Sequence, residues 1–353
     1  MPLTAPTDPT RLMMREQATD VSEAMIVDAL HHAPLPFGSV EAVGVAMRML
    51  MATQRADLPL PGMGQTLQRW QMLAAVGAVD LSLAKVYEGH TDAVAILAEL
   101  GEQASSGLWA VWAAEPPTAR VTYHPGTDGG TLSGQKAWCS GAAVVDWAVV
   151  TAWTPDEQPI LVSVRMRQPG IRVEADGWNA VGMSASSSVA VVFDSVAALA
   201  IGAPGAYVER PGFWQGGAGI AAVWYGATLA VARRLASAHK VASDPHAAAH
   251  LGAIDTALRA VRALLVETAE WIDAHPRADA MSAAFRVRAA AEAAANEVLL
   301  RTGRALGPGL LCADAAHAQR CADLPVFLRQ THAEHDLAAL GRAVANQSHG
   351  WDL

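Results

Sequence analysis

From Thr19 to about Gly107 apolar residues recur at steps of three and four, as in Met72, Val76, Val79, Leu83 and Val86, the spacing that gathers them on one stripe of an α-helix. A helical region is expected there. It breaks at LPLPGMGQT, Leu58 to Thr66, because two prolines and two glycines do not sit in a helix interior, and it resumes at Leu67. After Gly107 the pattern shortens into runs rich in tryptophan, valine and threonine: LWAVWA, GTLSGQKAWCS, DWAVVTAW, ILVSV and VAVVF. These predict strands, separated by turn chemistry at 116–118, 125–130, 154–159 and 168–170. Several short strands with no helical pattern between them suggest a closed or sandwiched antiparallel unit. Beyond Ala200 a glycine-rich entry leads into alanine-rich periodic stretches near 218–238, 249–274, 281–304 and 313–342, which predict the four long helices of a bundle. SDP, AHPRAD and GPG punctuate them. The expected class is α+β: an N-terminal helical domain over 1–107, a middle antiparallel β-barrel or sandwich domain over 108–200, and a C-terminal four-helix bundle over 201–353.

Composition narrows the partners. Of 353 residues 52% are hydrophobic and 17% charged, enough to bury a large core. A net charge of −9 without any lysine or arginine run gives no footprint for nucleic acid, so a small-molecule partner is expected. Cys139, Cys312 and Cys321 are too few and too scattered for a disulfide framework, and no CxxC pair suggests zinc; no metal is expected. The start MPLTAPTDPTRLMM lacks a charged segment followed by a long apolar one, and no uninterrupted apolar run reaches about 18 residues. A cytoplasmic chain with no membrane partner is the expectation.

The segment Leu132 to Ala152 contains Gly134, Lys136, Trp138, Ser140 and Asp146. In a strand, residues two apart share a face, so Trp138 and Ser140 are placed to meet one planar ligand; a core tryptophan beside a surface serine fits the same pattern. The segment resembles the central stretch of the acyl-CoA dehydrogenase superfamily, a Gly-x-Lys-x-Trp-x-Ser/Thr pattern followed by Asp and a valine-rich strand. LPLPGMGQT, AAEPP at 113–117, Trp178 to Val196 and RTGRALGPG at 301–309 resemble further family stretches in family order. The resemblance implies bound FAD, with Trp138 against the isoalloxazine, Ser140 near its N5, and Ala114 and Lys136 completing the cofactor set. Where the family has Ala-Gly-Ser-Asp, this chain has Pro117, Thr118, Ala119 and Arg120.

Three functions follow from that resemblance. The first is oxidation of a CH–CH bond in an acyl or acyl-CoA substrate, which needs a carboxylate base; Glu334, with Asp336 beside it, is the nearest to the family position. The second is a two-component flavin monooxygenase or oxidase, in which Ser140, His90 and His332 or His335 surround the reacting oxygen. His332 and His335 stand three apart, on one helical face. The third is a flavin-poor subunit that pairs with a catalytic homologue. Arg210, Phe213, Trp214 and Tyr225 gather where the resemblance places the substrate cavity; apolar aromatic walls suit an acyl or aryl group, and the same residues serve equally as a core. An electron-transfer partner or oxygen, and a homodimer or homotetramer, complete the expectations.

Overall fold

A computed structural model of the chain describes residues 22–127 and 129–345. The start MPLTAPTDPTRLMM and Thr19 lie outside the described residues, as do the residues after 345.

Four helices precede the strands: α1 over 22–29, α2 Val40–Ala52, α3 Thr66–Val79 and α4 Leu81–Glu99. The interruption read at 58–66 is a loop. Asp80 separates α3 from α4. Its extended backbone ends the first helix, and its carboxylate caps the second by accepting the Leu83 N–H at 2.8 Å; it also accepts the Phe37 N–H at 3.3 Å, which pins the segment between α1 and α2.

Seven strands follow: β1 Trp109–Trp112, β2 Val121–Gly126, β3 Gly129–Cys139, β4 Trp147–Trp153, β5 Pro159–Arg165, β6 Ile171–Val173 and β7 Val189–Ile201. Neighbours run β1-β4-β2-β3-β7-β5, and an additional β4–β5 pairing closes β4, β2, β3, β7 and β5 into a ring. The expected antiparallel unit needs correction, because β1 pairs with β4 in parallel, Trp109 beside Trp147, and β2 meets β4 in parallel at Thr122 and Trp153. Parallel neighbours need a crossover. The whole β2–β3 hairpin is inserted between β1 and β4 and supplies it.

The remaining helices are α5 Ala206–Glu209, α6 Gly212–Ala236, α7 Lys240–Ser243, α8 Pro245–Ala274, α9 Met281–Leu306, α10 Pro308–Ala313, α11 Ala315–Leu328 and α12 Glu334–Ala345. The fourth predicted stretch, 313–342, is therefore two helices. The break is imposed by α9: Arg288 Nη2 donates to the Gln330 carbonyl at 2.8 Å, the Thr331 hydroxyl donates to Glu292 at 3.1 Å, and Ala333 takes φ 44°. Among the described residues no helix is long and apolar enough to cross a membrane.

Helix α6 runs through the middle of the helical layer and touches α3, α8, α9 and α11. It meets α3 backbone to backbone. A Cβ added at Gly226 would stand 1.9 Å from the Ala74 carbonyl oxygen, and one added at Gly77 2.4 Å from that of Val223, so this crossing admits only glycine at those two positions. One continuous apolar core then runs from Ile26 through Trp70, Tyr87, Trp112, Val191 and Trp224 to Leu328, joining strands to helices on both sides.

Candidate active site

A cavity of about 620 Å³ opens where the ends of β1 and β4 and the start of β5 face α3, α4 and α6. From the strands it takes Ala113, Ala114 and Glu115, which follow β1, with Thr151 and Trp153 of β4. Glu115 is held by three donors: Lys136 Nζ at 3.1 Å, the Thr151 hydroxyl at 2.8 Å and Trp153 Nε1 at 3.0 Å. Burial pushes the Glu115 carboxyl up, but the Lys136 charge and these hydrogen bonds outweigh it and leave it below the usual carboxylate range. Lys136 is 1% exposed and also donates to the Thr151 carbonyl at 2.9 Å. Its donors are spent on the cavity wall, so it acts as a strut behind Glu115.

The strand alternation that paired Trp138 with Ser140 is interrupted. The β3–β7 register shifts between Lys136 and Cys139, and Trp138 takes φ 55°, a bulge that turns its indole outward. Trp138 is 58% exposed, whereas Ser140 is buried. The Ser140 hydroxyl lies 2.7 Å from that of Ser188, itself 3.0 Å from that of Ser186. The bulge is nonetheless tied to the cavity. Trp112 Nε1, at the end of β1, donates to the Ser140 carbonyl at 3.2 Å, so Ala113 and Ala114 leave β1 beside the bulge that carries Trp138.

Of the expected substrate residues, Arg210, Phe213 and Trp214 line this cavity. Phe213 stands edge-on between Tyr207 at 5.2 Å and Trp214 at 5.0 Å, and Trp214 in turn meets Phe285 at 4.9 Å, a run of aromatic contacts in the favourable geometry. Arg210 is buried and pairs with Glu99 at 2.8 Å, which also accepts the Gly212 N–H at 2.9 Å; the pair fixes the start of α6. Tyr225 is elsewhere. It lines a separate groove of about 400 Å³ with Leu67, Trp70 and Arg262, since it lies more than two helical turns beyond Trp214 on α6.

His90 does not line the cavity. It is buried on the sheet side of α4, where its Nδ1 accepts the Trp109 backbone N–H at 3.1 Å, and burial pushes its pKa down to about 4. A neutral imidazole serving as a backbone acceptor fits a structural role. The cavity receives Glu88, Thr91 and Asp92 of the same helix instead. The signal was in the sequence: positions 88, 91 and 92 share a helical face that position 90 leaves. The other missed residues, Arg69 of α3 and Arg288 of α9, carry no motif that marks them.

The C-terminal candidates divide. His332 reaches the cavity rim next to Gln330 and Arg288, 78% exposed along its side chain with Nδ1 3.4 Å from Asp336. Glu334 lines a different groove, of about 290 Å³, with Asp336, Arg329 and Leu337. His335 is 80% exposed and its nearest carboxylate is also Asp336, at 3.8 Å. Because the chain turns between α11 and α12, the pair read as one helical face straddles a helix start.

No family model and no curated protein matches the chain. Solved structures do. FMN-bound TdsC, a dibenzothiophene monooxygenase from Paenibacillus sp. A11-2, superimposes with a TM-score of 0.73 at 17% identity over 95% of this chain and 97% of that one. Methanesulfinate monooxygenase MsuC from Pseudomonas fluorescens gives 0.71 at 18% identity over 98% of each chain. PigA with FAD and proline gives 0.76 at 14% identity over 98% and 99%. The chain has the fold of these proteins, of which TdsC and PigA are solved with a bound flavin. The expected α+β class, with helices on either side of a strand-rich middle, is borne out at that level. The run Leu132 to Ala152 that the sequence likened to a family stretch falls on β3 and β4; it touches the cavity through Thr151 and Ala152, with Lys136 behind Glu115.

Proposed function

We propose that the chain is a flavin-dependent oxidoreductase that uses reduced flavin and oxygen on a small organic substrate held in the 620 Å³ cavity. The observation that carries this reading is the Trp112–Ser140 hydrogen bond, which ties the end of β1, leading to Ala113 and Ala114 of the cavity, to the bulge that carries the outward-facing Trp138. An exposed tryptophan on a bulged strand supplies a flat apolar surface for a tricyclic ring, and the small side chains of Ala113 and Ala114 leave room for the ring edge. Trp138, Ala113 and Ala114 would therefore hold the flavin, and bound flavin supplies the redox chemistry.

The chain's own residues supply position and protons. Phe213 and Trp214 exclude water from one side of the cavity. Glu115, fixed by three donors, anchors the opposite wall. His332 stands at the rim within reach of Asp336, placed to hold or pass a proton between the cavity and solvent. Ser140, with its hydroxyl turned to Ser188, supports the bulge. FAD, implied by the sequence resemblance, and FMN both fit this description.

A second reading, dehydrogenation of an acyl substrate, is favoured by one feature: a carboxylate, Glu88, lines the cavity, although Glu334 does not. The test is a titration with FMN and FAD, oxidised and reduced, followed by oxygen-uptake measurements with reduced flavin supplied. Saturable binding with substrate-dependent oxygen uptake and one oxygen atom in the product supports the proposal. Flavin reduction by substrate under anaerobic conditions points to the dehydrogenase, and failure to bind either flavin in either redox state sinks both.

A further inference from the structure

Helix α6 presents two adjacent glycines to the cavity, Gly216 and Gly217. A Cβ added at Gly216 would stand 2.9 Å from Asp92 Oδ1, and one added at Gly217 3.9 Å from Arg288 Nη1. The bare backbone at 216 thus lets the Asp92 carboxylate sit directly against α6, and at 217 it leaves ordinary contact distance to the Arg288 guanidinium.

Both groups lack partners for buried atoms. Asp92 Oδ1 is shielded from solvent without a hydrogen bond, and so is Arg288 Nε; a buried polar atom without a partner is destabilising. The other charges around the cavity are engaged. Glu88 pairs with Lys85, Arg210 with Glu99 and Glu115 with Lys136. Arg69 donates Nη1 to the Pro59 carbonyl at 3.2 Å, and its charge faces Asp92 from beyond ion-pair distance. Arg288 makes one hydrogen bond, to the Gln330 carbonyl at 2.8 Å. What is missing is a donor for Asp92 and an acceptor for Arg288. The apolar rings of Phe213 and Trp214, one helical turn before the two glycines, line the same cavity.

We propose that the cavity recognises an amino acid with an apolar or aromatic side chain, its ammonium donating to Asp92, its carboxylate accepting from Arg288 and its side chain lying against Phe213 and Trp214. This rests on the reading of the cavity as the substrate site. Asp92 and Arg288 are then the residues that set specificity, since a site built to pair both ends rejects molecules that leave one of its charges unmatched.

Calorimetric titration of the whole chain, with and without FMN, tests the proposal using phenylalanine, phenethylamine, 3-phenylpropionate and 3-phenyllactate. Phenylalanine is expected to bind at least about tenfold more tightly than the other three. Asp92→Asn is expected to weaken phenylalanine and phenethylamine by at least about tenfold while leaving 3-phenylpropionate unchanged. It removes no hydrogen bond but withdraws a charge facing the buried Arg69, so its unfolding midpoint is expected to fall modestly, and the unchanged affinity for 3-phenylpropionate shows that the site is still folded. Gly216→Ala, which favours the helix but presses a methyl against Asp92 Oδ1 and displaces the carboxylate, should abolish phenylalanine binding with the fold retained. If 3-phenylpropionate or 3-phenyllactate binds as tightly as phenylalanine, or if Asp92→Asn changes nothing, the proposal is overturned. It is also overturned if FMN binds and none of the four compounds does. Selective phenylalanine binding in a chain that binds no flavin would uphold this inference and refute the flavin reading.

Discussion

The carboxylate of Asp273, one residue before the end of α8, closes the N-terminus of α3 from 207 residues away: Oδ2 accepts the Thr66 backbone N–H at 3.0 Å and Oδ1 accepts the Thr66 hydroxyl at 2.6 Å. Oδ1 also accepts the Gly64 N–H at 3.0 Å. The residue in the capping position, Gln65, makes no cap bond of its own, so a side chain from another helix satisfies the orphan donors. Asp273→Ala is expected to lower unfolding free energy by about 2 kcal/mol, read from the urea midpoint. An unchanged midpoint would show that the 58–66 loop holds itself without α8.

Lys136 is a buried cation whose one ion-pair partner is Glu115, and burial pushes its pKa below the ordinary 10.5 even with that partner in place. Glu115→Gln should cost about 3 kcal/mol near pH 7, because it leaves the charge uncompensated. The sign of the pH dependence follows. With the folded pKa depressed, the unfolded chain binds more protons between that value and 10.5, so stability rises with pH through this window. Unfolding of the variant at about pH 9 should therefore recover part of the loss at pH 7; a deficit that is constant with pH would locate the damage in lost hydrogen bonds alone.

His90 is held neutral, with its pKa at about 4 against an ordinary 6.5. The unfolded chain takes up a proton in that interval and the folded chain does not, so about 3 kcal/mol of stability is lost as pH falls from 6.5 to 4. Asp323, raised by burial to about 6, has the opposite slope over much of the same range. Comparison with His90→Asn separates the two: the variant's stability should fall less steeply toward acid. Parallel curves would mean that His90 titrates normally and is not locked against Trp109.

Trp138 packs outward and contributes little to the core, so Trp138→Ala should leave the unfolding midpoint of the flavin-free chain within about 0.5 kcal/mol of wild type. Its affinity for flavin should fall by at least about tenfold, the loss of one stacked aromatic face. Retention of full affinity would move the flavin off the β3 bulge.

Periodicity revealed α8 and α9 because each is long and keeps one apolar stripe; α3 is buried all round over 72–78, and the stripe from Met72 to Val86 ran across the break at Asp80 that separates it from α4. Periodicity failed at 313–342, where Arg288 and Glu292 of another helix capture the chain between α11 and α12; no local residue announces a break made from outside. The motif on β3 located a strand whose Lys136 props Glu115 and Thr151 of the cavity wall from behind, yet the period of two did not hold from Trp138 to Ser140, since a bulge shifts every residue after it. Three of the four substrate candidates, Arg210, Phe213 and Trp214, line one cavity because they surround the start of a single helix. Asp92 was passed over beside the more conspicuous His90, and only the helical phase distinguishes them.

The bare backbone contact of α3 with α6 at Gly77 and Gly226 leaves nothing compressible between the two helices. Leu73 and Ile220, which border the cavity from these helices, thus sit on a frame of fixed spacing. A larger or smaller guest is accommodated by exchanging those side chains, not by sliding the helices past each other. Relatives that keep this crossing should then differ in the size of molecule they admit while their backbones superimpose, and the crossing works as a ruler against which side-chain length alone sets the bore.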